Sequence, residues 1–207
     1  MRSDIFSGSV LGIAAHPDDL EYGCFGTLFK FRSNFSLAIY IASLGGENDP
    51  TSGLDRKREC ENALAYLNPD KIVFREKVGV DSYLEIVQEL ETIIKSENVS
   101  LVLVPSHRDS HQDHRKVSKM AISAIRRSDI SVLFYSLLSS DLSFRARLFV
   151  DITDCFYLKM KALKSHKSQS QKYYMSEKYL EIFHSDSFAN LHGIECVERF
   201  EIDRLFL

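Results

Sequence analysis

The sequence predicts an α/β fold, a doubly wound and mostly parallel sheet with helices on both faces. Three observations predict it. Short apolar runs at 10–15 (VLGIAA), 37–42 (LAIYIA) and 99–104 (VSLVLV) do not alternate, as expected of strands buried on both faces. Segments with apolar residues at helical spacing stand between such runs. Strand and helix then follow one another in strict alternation to about Leu137, the order that right-handed crossovers in a parallel sheet require.

The elements follow in order. The first strand leads through His16-Pro17 into helical character from about Asp19 to Arg32. Gly23 and Gly26 inside that helix cost stability, so they mark close approach to the sheet or to a site. The second strand ends at the Gly45-Gly46 turn. Ser52 or Asp55 suits the cap of a helix reaching about Leu67, with Ala63, Leu64 and Leu67 on one face. A short strand, KIVF, spans 71–74. Tyr83 to Ser96 carries Leu84, Val87, Leu90, Ile93 and Ile94 at helical spacing. Pro105 closes the next strand, and the polar loop SHRDSHQD leads into a helix from about His114 to Arg126. Val132 to Tyr135 is again a strand.

Beyond Leu137 the regularity falls. Arg147 to Ile152 reads as an edge strand, Cys155 to His166 as a helix and Cys196 to Ile202 as a final alternating strand. The stretch from Gln169 to Gly193 is polar, rich in Tyr and Ser, and takes no assignment; it suits a lid or an interface between copies in a homo-oligomer. The expectation is one domain over 1–207, the part from about 138 being a less regular extension. With 207 residues, 44% of them hydrophobic, the chain can build its core without disulfides.

Composition excludes several classes. Lys+Arg 26 against Asp+Glu 29 gives net charge -3, so no field draws nucleic acid. Cys24, Cys60, Cys155 and Cys196 form no C-x-x-C pair and sit among apolar residues, as buried thiols of a reducing compartment do. The apolar run at 10–15 is too short for a signal segment or a membrane span. The expectation is a soluble, cytoplasmic chain without stable membrane insertion. No G-x-G-x-x-G follows the first strand and no Walker lysine is present, which argues against a dinucleotide cofactor.

Chemistry gathers after three of the strands, where the functional loops of an open α/β sheet lie. The segments are His16-Pro17-Asp18-Asp19, Gly45-Gly46-Glu47-Asn48-Asp49, and Asp109-Ser110-His111-Gln112-Asp113-His114. His16 and Asp19, three apart at a proline-primed helix start, can face one point, whereas Asp18 points elsewhere and suits a base. The plain alternative is two acids favouring a helix N-terminus. His114 supplies a second imidazole, and His111 and Asp113 suit a carboxylate–imidazole pair. Two such clusters outweigh the reading of solvated loop histidines. Two imidazoles and one carboxylate, His16, Asp19 and His114, leave a position open for water, as catalytic zinc sites do. Asp18 would take the water's proton, and a protonated His111, held by Asp113, would stabilise the oxyanion or protonate the leaving amine. The same ligands suit ferrous iron.

The segments His16-Pro17-Asp18-Asp19, preceded by Ala15, and His111-Gln112-Asp113-His114-Arg115 resemble the two motifs of the LmbE-like, or PIG-L, deacetylase family. The resemblance implies a Rossmann-like fold and a single metal, usually zinc. It also implies removal of acetyl groups from small N-acetylglucosamine-containing substrates. It carries metal ligation to His16, Asp19 and His114, the base to Asp18 and oxyanion stabilisation to His111. Arg56 and Glu59 look like the family's R-x-x-E helix, whose arginine contacts substrate; a surface pair between them is the alternative. Ser43 to Glu47 resembles its glycine–glutamate loop, implying a substrate role for Glu47. Lys161 to Gln169 is similar to its K-x-x-A-L-x-x-H-x-S-Q segment, and VERFEI (197–202) to its A-E-x-F strand. Leu44 and Gly45 stand where the family often has Thr and Asp, which bears on the substrate rather than the reaction. Two rivals stay open: hydrolysis of a non-sugar amide, and a metal-binding protein without catalysis.

Overall fold

The computed structural model describes residues 5–45, 53–75 and 82–206. In chain order the elements are β1 (Gly8–Ala14), α1 (Asp19–Gly23), α2 (Phe25–Lys30), β2 (Phe35–Ile41), α3 (Gly53–Leu64), β3 (Lys71–Phe74), α4 (Tyr83–Ser96) and β4 (Leu101–Pro105). They continue with α5 (Gln112–Ala124), β5 (Ser131–Tyr135), β6 (Leu148–Asp151), α6 (Phe156–Leu163), α7 (Glu177–His184), α8 (Ser187–Asn190) and β7 (Val197–Arg204).

The seven strands among the described residues form one sheet in the order β3-β2-β1-β4-β5-β7-β6. The first five pair in parallel. β7 runs antiparallel to both β5 and β6, so the chain's last strand enters between two earlier ones. The winding reverses between β1 and β4, which makes that crevice the switch point where α/β sheets place their ligands.

Period-two alternation divides the strand side chains between two cores. Val10, Leu37, Ile39, Leu103 and Leu133 face one layer with Phe25, Leu28, Cys60, Leu64 and Met160 from α2, α3 and α6. Leu11, Ile13, Tyr40, Val102 and Val132 face the other with Ile86, Leu90, Val117 and Met120 from α4 and α5. Both faces of the sheet are therefore covered. The four cysteines are buried and free. Among the described residues no helix is long and apolar enough to cross a membrane.

The helix expected from Asp19 to Arg32 is broken at Cys24 into α1 and α2. The glycines there have the expected reason: a Cβ on Gly23 would stand 2.2 Å from the Tyr135 ring, and one on Gly26 2.6 Å from Ile152. Glu198 of β7 sits at the break. Its carboxylate accepts the N–H groups of Gly26 (2.8 Å) and Thr27 (2.6 Å) and receives Lys159 Nζ at 2.6 Å. Lys159 also donates to the Tyr22 carbonyl at 2.6 Å. This buried pair joins β7, α6 and the first two helices behind the site.

Candidate active site

Three imidazoles meet at the switch point because two loops end there. After β1 the chain turns through Ala15 to Asp18. Asp19 Oδ2 accepts the N–H groups of Ala15 (3.0 Å) and His16 (2.9 Å), which closes the turn on its own carboxylate. Asp18 adopts φ 98°, a left-handed conformation that costs a non-glycine residue about 1–2 kcal/mol. After β4, Asp109 Oδ1 accepts the His111 N–H at 2.7 Å, and His111 becomes the N-cap of α5.

Ring nitrogens of His16, His111 and His114 all lie within 4.8 Å of one another. His16 Nε2 stands 3.1 Å from Asp113 Oδ2, and His114 Nδ1 stands 3.0 Å from Asp109 Oδ2. Each of these two rings thus directs one nitrogen to an outer carboxylate. The remaining nitrogens approach Asp19: His114 Nε2 is 3.4 Å from its Oδ1 and His16 Nδ1 3.9 Å from its Oδ2. Imidazole ligands held this way, outer nitrogen on a carboxylate and inner nitrogen exposed to a common point, suit a divalent ion. The donor set of imidazole nitrogens and a carboxylate fits zinc or ferrous iron.

The electrostatics follow the geometry. Burial opposes a charge on His114, but the Asp19 and Asp109 carboxylates outweigh it and push the pKa up to about 10. Burial likewise opposes the Asp19 anion, yet His114 and His16 hold it below the usual carboxylate range. Asp18 goes the other way. Burial first, then the Asp19 charge, raises it to about 6, against the pull of His166 and Arg56. His111 is lowered by burial and by the neighbouring imidazoles His114 and His16.

One expected pairing is corrected. His111 and Asp113 do not form a carboxylate–imidazole pair: the Asp113 backbone N–H donates to His111 Nδ1 at 3.2 Å, and the Asp113 carboxylate goes to His16 instead. The helix start explains this, because capping uses the imidazole as an acceptor. A ring that accepts at Nδ1 carries its proton on Nε2, and its lowered pKa favours the neutral form rather than the imidazolium expected from sequence.

These residues line a pocket of about 490 Å³, shared with Arg56, Tyr22, Leu137, Gln169 and Tyr174 among others. Arg56 is buried and its Nη2 donates to the Pro17 carbonyl at 3.3 Å, so it braces the His16–Asp19 turn from the pocket wall. Glu59 turns to the Ser168 N–H (3.0 Å) and hydroxyl (2.6 Å). Glu47 lies outside the described residues. His166 is a packed histidine on Glu21 at 2.9 Å, and Tyr173 is exposed outside the pocket lining that includes Tyr174. The sequence reading placed Asp109 in the third segment and Gln169 in the resemblance at 161–169 without giving either a role, and it did not single out Tyr22. Asp109 carried a signal, standing two residues before His111 in the same loop; Tyr22 carried none.

Imidazole and carboxylate donors beside a pocket at the switch point make this a candidate metal site on a doubly wound α/β fold. Residues 11–125 match the family described as PIG-L: GlcNAc-PI de-N-acetylase. The uncharacterized deacetylase YaiS of Escherichia coli is 32% identical over 171 residues, 77% of this chain and 90% of that one. The diacetylchitobiose deacetylase of Thermococcus kodakarensis is 28% identical over 192 residues, 77% of this chain and 69% of that one. Among solved structures, GalB, the 4-carboxy-2-hydroxymuconate hydratase from Pseudomonas putida, aligns with TM-score 0.80 at 16% identity, covering 97% of this chain and 98% of that one. The chain belongs to the PIG-L family of metal-dependent deacetylases and is a hydrolase of amide bonds.

Proposed function

We propose that the chain removes the N-acetyl group from a small amino sugar of the N-acetylglucosamine type, with zinc held by His16, Asp19 and His114. The observation that carries this reading is the pair of inward nitrogens, His16 Nδ1 and His114 Nε2, both facing the Asp19 carboxylate. The relative active on diacetylchitobiose supports the sugar. A divalent ion held there would supply Lewis acidity to the acetamide carbonyl and to a water molecule. Asp18 accepts the proton of that water as its oxygen adds to the carbonyl carbon. No hydrogen bond or ion pair among the described residues occupies the Asp18 carboxylate, and its raised pKa suits a base that must later give the proton up. The His111 Nε2–H bonds to the developing oxyanion. The C–N bond then breaks, the proton passes to the departing nitrogen, and acetate and a free amine result. Asp113 and Asp109 hold the rings of His16 and His114. Arg56 and Glu47 contact the sugar.

The test is acetate release from free N-acetylglucosamine, its α-glycosides and UDP-linked N-acetyl sugars, using chelated protein with zinc or iron restored. Acetate formed only with metal supports the reaction. Asp18→Asn should keep its metal and lose about 10²–10⁴-fold in kcat. Undiminished turnover in that variant would remove Asp18 as the base. Absence of acetate throughout, with metal bound, would move the substrate to a non-sugar amide.

A further inference from the structure

The pocket has one aliphatic patch. Among its described lining residues, only Leu137 and Leu138 carry alkyl side chains; Gly45 apart, the others are polar or aromatic. Both leucines stand just after β5, on the same rim of the sheet as the loop after β4. Leu137 is 4% exposed and belongs to the first core layer. Leu138 is half-buried: it packs against that core and also lines the pocket, so a ligand can reach it.

The turn that holds them is fastened to the loop that carries the imidazoles. The Leu137 N–H donates to Ser140 Oγ at 2.9 Å, and the Ser140 N–H donates to the Leu137 carbonyl at 3.0 Å. The Ser139 carbonyl accepts the N–H (2.8 Å) and the hydroxyl (3.0 Å) of Ser110. Ser140 pairs with Asp109 in an isolated antiparallel bridge. Ser139 Oγ lies 3.3 Å from His114 Nδ1. His111 follows Ser110 in the chain, and its ring stacks on that of His114 with centroids 4.5 Å apart. The two leucines therefore share one frame with His111 and His114. The lining contributed by α1, α3 and the segment 169–174 is polar and aromatic instead: Arg56 donates to the Pro17 carbonyl, and Tyr174 meets Tyr22.

We infer that Leu137 and Leu138 form the subsite for the acyl group of the substrate, and that Leu138 limits the length of that group. The inference rests on the reading above, in which His111 meets the carbonyl oxygen. The carbonyl carbon bears two further groups, the nitrogen that leads to the sugar and the methyl. The sugar carries hydroxyl groups and needs hydrogen-bonding partners, which Arg56, Lys172 and Tyr174 offer on the polar lining. The methyl has no hydrogen bond to make and gains only by leaving water for an apolar surface. The one aliphatic surface, held in the frame of His111, is the surface that suits it. Leu137 is fixed in the core and forms the floor. Leu138 stands between that floor and the open pocket, so a chain longer than acetyl has to displace its side chain.

Glucosamine carrying an N-acetyl, N-propionyl or N-butyryl group tests the subsite on metal-loaded protein. In the unmodified chain kcat/KM should fall about tenfold or more for each added methylene. Leu138→Ala opens the space, and its ratio of butyryl to acetyl kcat/KM should rise by about tenfold or more. A merely structural role would lower every substrate alike and leave that ratio where it was. Should the alanine variant not fold, Leu138→Val makes a smaller opening, and its ratio of propionyl to acetyl should rise. An unchanged ratio in the folded variant, or an unmodified chain that cleaves butyryl as well as acetyl, would overturn the subsite. If the unmodified chain cleaves none of the three, the amino-sugar reading itself fails. The subsite is then judged without a sugar, by calorimetric titration of the zinc-loaded protein with acetohydroxamate, propionohydroxamate and butyrohydroxamate, metal-binding probes that carry the same alkyl groups. Affinity that falls along this series in the unmodified chain but not in the Leu138 variant supports it; any other order, or no binding, overturns it.

Discussion

At the scale of single residues, the site is organised by carboxylates that act on imidazoles rather than on substrate. Asp109 is the clearest case. Its side chain is fully buried, its Oδ1 fixes the His111 backbone and its Oδ2 lies 3.0 Å from His114 Nδ1. Replacing it by Asn keeps the shape and removes the charge that orients and enriches the ring. Asp109→Asn should weaken metal binding by about 10–100-fold, read by competition with a chromogenic chelator on the folded variant. An unchanged affinity would reject the orienting role. That His16, Asp19 and His114 come together was legible in the sequence, because His16 and Asp19 are neighbours and His114 sits in a second compact motif. Their outer partners were not. Asp113 lies two residues from His111 but serves His16, 97 residues away, a pairing that spacing cannot disclose. Glu47 and the substrate contact expected of Arg56 stay proposals, though Arg56 does reach the pocket wall.

At the scale of elements, alternation of strand and helix and the positions of the first five strands were legible because each strand is apolar on both faces. The final strand was legible as a strand, but not the burial of its charge. Alternation puts Glu198 on the face of Cys196 and Phe200, which pack in the first core layer, so a carboxylate is buried among apolar residues. It is tolerated there because the start of α2 and Lys159 of α6 close over Glu198 and supply it three donors. Glu198→Gln leaves the Lys159 ammonium buried without a counter-charge. It should destabilise the fold by about 3–5 kcal/mol in equilibrium urea unfolding. The double variant Lys159→Met/Glu198→Gln removes the stranded charge while Gln keeps one acceptor oxygen for one of the Gly26 and Thr27 N–H groups, so it should recover part of that loss. A single variant as stable as the unmodified chain would show that the pair holds nothing. Because Lys159 also bonds the Tyr22 carbonyl, the same loss should loosen the pocket wall before it touches the imidazoles.

At the scale of the whole molecule, the fold alone does not choose the reaction, since a hydratase shares it at TM-score 0.80. What the sequence could not disclose is how the C-terminal part joins the sheet, because antiparallel insertion of β7 between β5 and β6 depends on long-range pairing. That junction carries a pH dependence. His184 ends α7 and packs against Phe183, Phe156 and Tyr22, with Nδ1 3.0 Å from the Val197 carbonyl oxygen. Burial, then the positive charges of Lys159 and Arg199, hold its pKa well below the ordinary imidazole value, against the opposing pull of the hydrogen bond to the Val197 carbonyl. The folded chain therefore refuses a proton that the unfolded chain accepts below about pH 6.5. Above that value the group contributes no pH dependence; below it, stability falls as pH falls, by up to about 1.4 kcal/mol per pH unit from this residue. Other buried acids and imidazoles titrate in the same range, so the measurement is a difference. The unfolding free energy of His184→Phe, taken in chelator and subtracted from that of the unmodified chain, should be constant from pH 8 to about 6.5. Below that the difference should move steadily in favour of the variant, whose phenyl ring cannot demand a proton. A difference that stays flat down to pH 5 would mean that His184 is protonated in place, and that the C-terminal elements dock on the core without excluding charge.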